Sequence, residues 1–225
     1  TLQTGLAKRL AKAASTTQGW ALVTDVVDGR LCASLAEQTE LSIIGVSADA
    51  GNIAAARERL AKRGLYGRRV SVHLVDGGAL PFTDYFANLI VSESAWLGQG
   101  SSRLAKGERE RLLQPHNGVA WLEPDAALHR ASGLAGAGEW THQYGNPANT
   151  CNSGDSIVHS DLVLQWFGGP GAAPMVDRHL RAPAPLAAEG KLLIPGENLV
   201  IAVDAYNGTE LWRLPLPGSQ RYSMP

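Results

Sequence analysis

The residues placed to do chemistry are Asp25, Gly29, Ser47 and Asp76. Asp25 and Gly29 stand in ALVTDVVDGRLCASLA (21–36), which reads as a buried strand running through a turn into a helix. Ser47 closes the apolar run LSIIGVS (41–47), and Asp76 closes VSVHLVD (70–76). Turns after strands of an α/β sheet line the crevice where such sheets take their ligands. A nucleotide-like cofactor asks for glycines in the first turn, because the backbone must approach closely with its N–H groups free. It asks for a carboxylate after the second strand, to hold ribose hydroxyls, and for an acid after the third, to meet an adenine amino group. This chain offers one glycine, a serine and an aspartate at those places.

Other reactive residue types form no constellation. The six histidines (73, 116, 129, 142, 159 and 179) are scattered, with no i,i+4 pair and no Cys/Asp/Glu set at ligand spacing, so no metal site is expected. Cys151 lacks the flanking pattern of a nucleophile, and with Cys32 it forms neither a paired nor a metal-type spacing; two free thiols are expected. No catalytic residue is assignable. Asp28 and Asp49 sit at helix starts, where acids serve as caps. KRGLYGRR (62–69) reads as a solvated helix end.

The elements that must position these residues alternate between strand and helix. An amphipathic helix over 4–14 precedes a strand over 21–25 and a helix opening at 31–36. The strand at 41–47 leads into a helix with Ile53, Ala56 and Leu60 on one face, a Glu58/Lys62 i,i+4 pair and Gly64 as its stop. Strands follow at 70–76, 87–93 and 118–123, with a helix over 106–114 and at most a short one in PDAALHRASG (124–133). Apolar strands separated by helices predict an α/β fold, a doubly wound parallel sheet with right-handed crossovers.

Beyond 134 the texture changes. A Gly/Asn/Ser-rich stretch over 134–155 serves as linker or lead-in, and short strands are expected at 162–168, 191–196, 199–205 and 210–216, with Asn207-Gly208 as a turn. The organisation read is an α/β domain over 1–133, the lead-in over 134–155 and an all-β segment over 156–225. The 225 residues carry 44% hydrophobic and 18% charged residues with net charge −1, split as +2 up to residue 133 and −3 beyond. Such values give no polyelectrolyte character, so nucleic acid is not favoured as a partner. No apolar run approaches the roughly 18 residues of a membrane span, and the amino terminus lacks the apolar core of a signal peptide, although the sequence opens on Thr1 rather than Met.

Over residues 4–123 the chain resembles class I S-adenosylmethionine-dependent methyltransferases. VDGGALPFTDYFANLIVSES (75–94) carries the resemblance best, and IIGVSADAGNIAAAR (43–57) is similar to the family's second strand and following helix. The resemblance implies strand order 3-2-1-4-5, S-adenosylmethionine as cofactor, and Asp25, Gly29, Ser47 and Asp76 as the positions facing it. Val23 stands at the family's first acid, Asp25 and Val27 at the first two loop glycines, and Ser47 at the ribose-binding acid. A β-branched Val27 narrows the loop, Asp25 opposes the cofactor's own carboxylate, and Ser47 cannot accept a pair of hydroxyl hydrogen bonds. These departures predict that S-adenosylmethionine is bound weakly or not at all.

GKLLIPGENLVIAVDAYNGTELWRLPLPG (190–218) resembles a pyrroloquinoline quinone-type propeller repeat, and EWTHQYGNPANT (139–150) resembles the segment that leads into a first blade. That resemblance implies structural roles for Asp204 and Trp212, with Trp212 buried. One blade does not close a ring, so either the chain is part of a longer polypeptide or the blade packs on the first domain. Pyrroloquinoline quinone itself is implied only for a longer chain. Three function classes follow: a methyltransferase-like domain with a degraded site, which if active is an S-adenosylmethionine-dependent methyltransferase with an unusual one; an accessory part of a quinoprotein oxidoreductase; and a non-catalytic scaffold or binding protein, its partner the remainder of a longer polypeptide or another protein. The propeller resemblance implies export, the methyltransferase resemblance the cytoplasm.

Overall fold

A computed structural model describes residues 2–159, 162–175 and 184–219. His179 and the end of the expected blade segment lie outside them. The chain divides into two compact units, Thr1–Ser132 and Gly133–Pro225, so that the stretch 134–155 belongs to the second.

The first unit runs α1 (Leu2–Ala14), β1 (Trp20–Thr24), α2 (Arg30–Gln38), β2 (Ser42–Ser47), α3 (Ala50–Lys62), β3 (Val70–Leu74), β4 (Leu89–Ser92), α4 (Glu93–Trp96), α5 (Lys106–Leu112), β5 (Val119–Trp121) and β6 (His129–Arg130). Its strands lie in the order β3-β2-β1-β4-β5-β6. The first five are parallel, in the order that the resemblance implies, and β6 is antiparallel to β5. No helix forms in 124–133. A turn closed by Ala126 N–H on the Glu123 carbonyl sends the chain back along β5, and the Arg130 guanidinium donates to the Ala13 carbonyl at the end of α1. The edge expected to need a cover is capped by this short strand, whose pairing satisfies the β5 backbone.

Both faces of the sheet are buried, which is why its strands read as continuous apolar runs. Successive side chains point to opposite faces, so Val23 and Val91 join Leu10, Leu31, Leu35 and Leu60 in one core while Leu22 and Ile90 join Phe86 and Leu112 in the other.

The second unit holds β7 (Leu186–Ala188), β8 (Lys191–Gly196), β9 (Leu199–Asp204) and β10 (Glu210–Pro215), an antiparallel meander in the order β10-β9-β8-β7. Trp140 of the lead-in exchanges both backbone hydrogen bonds with Ala187 of β7. Two expectations are corrected here. Residues 162–168 form no strand: Leu162, Val163, Leu164 and Phe167 are exposed, and it is Trp166 that docks, donating its indole N–H to the Ala205 carbonyl. Its ring lies so close over Gly208, at φ 71°, that a Cβ there would meet it at 2.3 Å. Trp212 is 42% exposed rather than buried, because it sits on the outer strand β10, whose residues are nearly all exposed.

Candidate functional site

A cleft of about 640 Å³ opens where β1, β2 and β3 end at their carboxyl side. Thr24, Asp25 and Val27 line it after β1, Ser47 and Asp49 after β2, and Val75 after β3. The segment after β4 closes the other side with Ser94, Gln99, Ser101 and Arg103, none of which stood out in the sequence.

Asp25 is the sharpest feature of the lining. Its backbone takes the left-handed conformation, φ 51°, unusual for a residue with a side chain. Its Oδ2 accepts from the Thr24 and Ser92 hydroxyls, each at 2.9 Å, and from the Arg103 backbone N–H at 3.2 Å. Asp25 thereby ties the segment after α4 to the end of β1.

The loop after β1 is sealed from inside by Glu93, the residue that follows β4. Its side chain is fully buried. Oε2 accepts the backbone N–H groups of Val27 at 2.7 Å, Asp28 at 3.3 Å and Gly29 at 3.1 Å, and Oε1 accepts that of Leu31 at 2.7 Å. A helix start exposes N–H donors that attract an anion, and here the anion is the chain's own carboxylate. Burial, with the Asp28 charge nearby, pushes the Glu93 pKa up, and the amides of Leu31, Val27 and Gly29 hold it back only in part. Burial, with the Glu93 charge nearby, also pushes the Cys32 thiol well up, so this thiol is a packing group.

The remaining acids are spent on structure. Burial raises the Asp28 pKa, but its ion pairs with Arg30 and Arg59 outweigh this and hold it below the usual aspartate range. Asp49 caps α3 by accepting the Asn52 N–H at 2.9 Å, and Ser47 accepts from the Asp49 N–H. Glu108 lines the cleft but is bound by Arg111, whose guanidinium holds its pKa low.

Of the four candidates, Asp25 and Ser47 meet at the cleft. Gly29 does not line it: φ is 72° and a Cβ would lie 3.0 Å from that of Ala56, so this glycine lets α2 pack on α3. Asp76 is exposed and also lies off the lining, where its neighbours Val75 and Gly77 stand instead. Val23 is buried in the core. The residue the sequence reading missed is Glu93. Its signal is an acid placed directly after the apolar run LIVS, where a carboxylate can be buried only if donors wait for it.

Among the described residues no three His, Cys, Asp or Glu side chains gather as a metal site needs, and no helix is long and apolar enough to cross a membrane. Comparison with known proteins finds no matching family model and no matching curated protein. Solved structures do match. One, provisionally described as an S-adenosyl-L-methionine-dependent methyltransferase from Methanococcus maripaludis, shows 22% identity over 53% of this chain and 54% of that one, TM-score 0.48. Another, provisionally described as a sarcosine dimethylglycine methyltransferase from Galdieria sulphuraria, shows 21% identity over 53% and 44%, TM-score 0.44. The chain thus spans about half the length of the solved structures it matches, and likeness of this degree assigns no activity to it.

Proposed function

We propose that the first unit is a methyltransferase-like domain whose S-adenosylmethionine site is degraded, joined to a propeller-type blade. One observation carries the first half of this reading: the Glu93 carboxylate consumes the N–H groups of Val27, Asp28, Gly29 and Leu31. A cofactor loop must present its backbone to the ligand, and this one presents it inward. Asp25 then sets a carboxylate in the cleft, and Ser47 offers a hydroxyl already engaged by Asp49. The sequential four-stranded meander supports the second half, since a propeller blade is such a sheet.

Calorimetric titration of S-adenosylmethionine into the full chain tests the domain reading. The expected dissociation constant is in the millimolar range or weaker, and about 10 μM or tighter overturns it. Val27→Gly with Ser47→Asp should strengthen binding only modestly, because neither substitution frees the amides that Glu93 holds. Hydrogen exchange on the same chain tests the blade reading: β8 and β9 should exchange faster than β1 and β4, as befits a sheet that awaits neighbours.

A further inference from the structure

Among the described residues two carboxylates where β1 and β4 end, Asp25 and Glu93, form no ion pair, although Arg30 lies near enough to Glu93 to feel its charge. Glu93 is held by four backbone amides, and Asp25 by two hydroxyls and one amide. Arg103 reaches Asp25 through its backbone N–H and not through its guanidinium. The neighbouring Asp28 and Glu108 are neutralised by arginines. All three donors to Asp25 converge on Oδ2, so among the described residues none reaches Oδ1, on a side chain that lines the cleft. Around it the lining turns apolar, with Val27, Val75 and Leu104. A volume of about 640 Å³ suits a small organic molecule.

We infer that this cleft takes a small organic cation, a primary amine carried on an apolar or aromatic body, with its ammonium on Asp25 and its body against Val27, Val75 and Leu104. An ammonium brings donors and no acceptor, which matches an open carboxylate oxygen in a cleft that Ser94 also lines, its hydroxyl 3.3 Å from that of Ser92. An anionic ligand meets the opposite circumstances. The amides that would hold it are sealed by Glu93 and the Asp25 carboxylate repels it, so that the attraction left to it in the lining is the Arg103 guanidinium. The assignment stands apart from the cofactor reading, since it uses only the cleft's own groups.

Tryptamine and indole-3-propionate share a ring and differ in the sign of the charged end, which makes them suitable probes. Calorimetry on the full chain at low ionic strength should show tryptamine saturating one site and indole-3-propionate binding at least about tenfold more weakly. Asp25→Asn should lower tryptamine affinity about tenfold, the size expected for losing one close charge pair in a partly buried site. Because Asp25 also ties a loop, Ser101→Lys serves as a second variant: it sets a cation in the lining at an exposed position and should weaken tryptamine while leaving the melting temperature unchanged. Equal binding by the anion, no saturation by tryptamine, or an affinity that neither substitution moves overturns the assignment. None of these outcomes alters the S-adenosylmethionine titration, so the two readings fail separately.

Discussion

The two sheets of this chain are covered to different degrees. In the first unit each strand of the sheet's centre sends one side chain into a core above and the next into a core below, and Leu22, Val23, Ile90 and Val91 are all fully buried. In the second, Ile201 and Val203 are fully buried with Ile194 nearly so, while Leu214 and Trp212 on β10 stand exposed. Glu93 shows that the first unit satisfies even a buried carboxylate internally, whereas the apolar residues of 162–167 are left in solvent apart from Trp166. A parallel sheet wound with helices carries its covers within its own sequence. The second sheet is a meander whose outer strand β10 is exposed among the described residues.

The largest effect expected from breaking this contrast is at Glu93. Glu93→Ala leaves four amides without their acceptor, those of Gly29 and Leu31 buried and those of Val27 and Asp28 half-buried, and a cost of about 3–5 kcal/mol is expected from removing a buried charge that others depend on. Chemical denaturation of the full chain measures it; a loss under about 1 kcal/mol would mean that water reaches the loop and the seal is incidental. Acetate, but not chloride, should restore part of the stability by refilling the vacated carboxylate position. The pH dependence has a definite sign. Folding raises the Glu93 pKa above the ordinary 4.5, so its contribution is complete below that value and is lost as pH rises through the folded pKa. Asp28 runs the other way, lowered from 3.8, with its contribution present above that value and lost as pH falls through the folded pKa. Melting temperature against pH should flatten on the alkaline side in Glu93→Gln and on the acid side in Asp28→Asn.

Next in size are the cores. Ile90→Ala in the first sheet and Ile201→Ala in the second should each cost about 2–5 kcal/mol, as for other fully buried isoleucines. The two differ in reach. Hydrogen exchange should show Ile90→Ala loosening β1, β4 and β5 together, and Ile201→Ala loosening β8–β10 while the first unit keeps its protection. Loss of protection in both units from either substitution would mean that they fold as one cooperative body.

How much of this was legible in the sequence follows from how local each determinant is. The elements of the first unit could be read because β1, β2 and β4 are unbroken apolar runs and α3 carries its own cap at Asp49 and stop at Gly64, while their order came from the methyltransferase resemblance. Residues 162–168 misled because an apolar run with β-branched residues resembles a strand whether or not a partner lies beside it, and pairing is not local. The cleft was half legible. Asp25 and Ser47 were found because strand ends mark the crevice, while Gly29 had two sufficient uses, ligand approach and helix packing, and only the position of Ala56 decides between them. Glu93 and Arg103 act across gaps of more than sixty residues, which no spacing rule reports.

That second use of Gly29 gives an effect of middle size. Gly29→Ala places a Cβ 3.0 Å from that of Ala56 on a residue with φ 72°. The left-handed conformation alone costs a non-glycine residue about 1–2 kcal/mol, and the contact adds to it. Thermal unfolding should therefore shift downward while ligand binding in the cleft is unchanged in affinity, since the residue stands off the lining. A fall in tryptamine affinity with no change in stability would return Gly29 to the binding surface.

The smallest effect belongs to the residue that the propeller resemblance made central. Trp212 keeps 42% of its surface in solvent, and Leu214 on the same strand keeps 54%, so truncation forfeits little burial. Trp212→Ala should cost below about 1 kcal/mol, in the range of surface substitutions rather than of a core tryptophan. Trp166→Ala is the internal reference, because it removes both the ring lying on Gly208 and the hydrogen bond to Ala205, and it should cost more. Denaturant unfolding of the full chain, followed by a probe in the second unit, compares the two. A cost of about 3 kcal/mol or more for Trp212→Ala would be that of a covered tryptophan, and β10 would then have a partner in solution. In that case the second sheet would be finished like the first, by a surface supplied from elsewhere, and the contrast between the units would vanish.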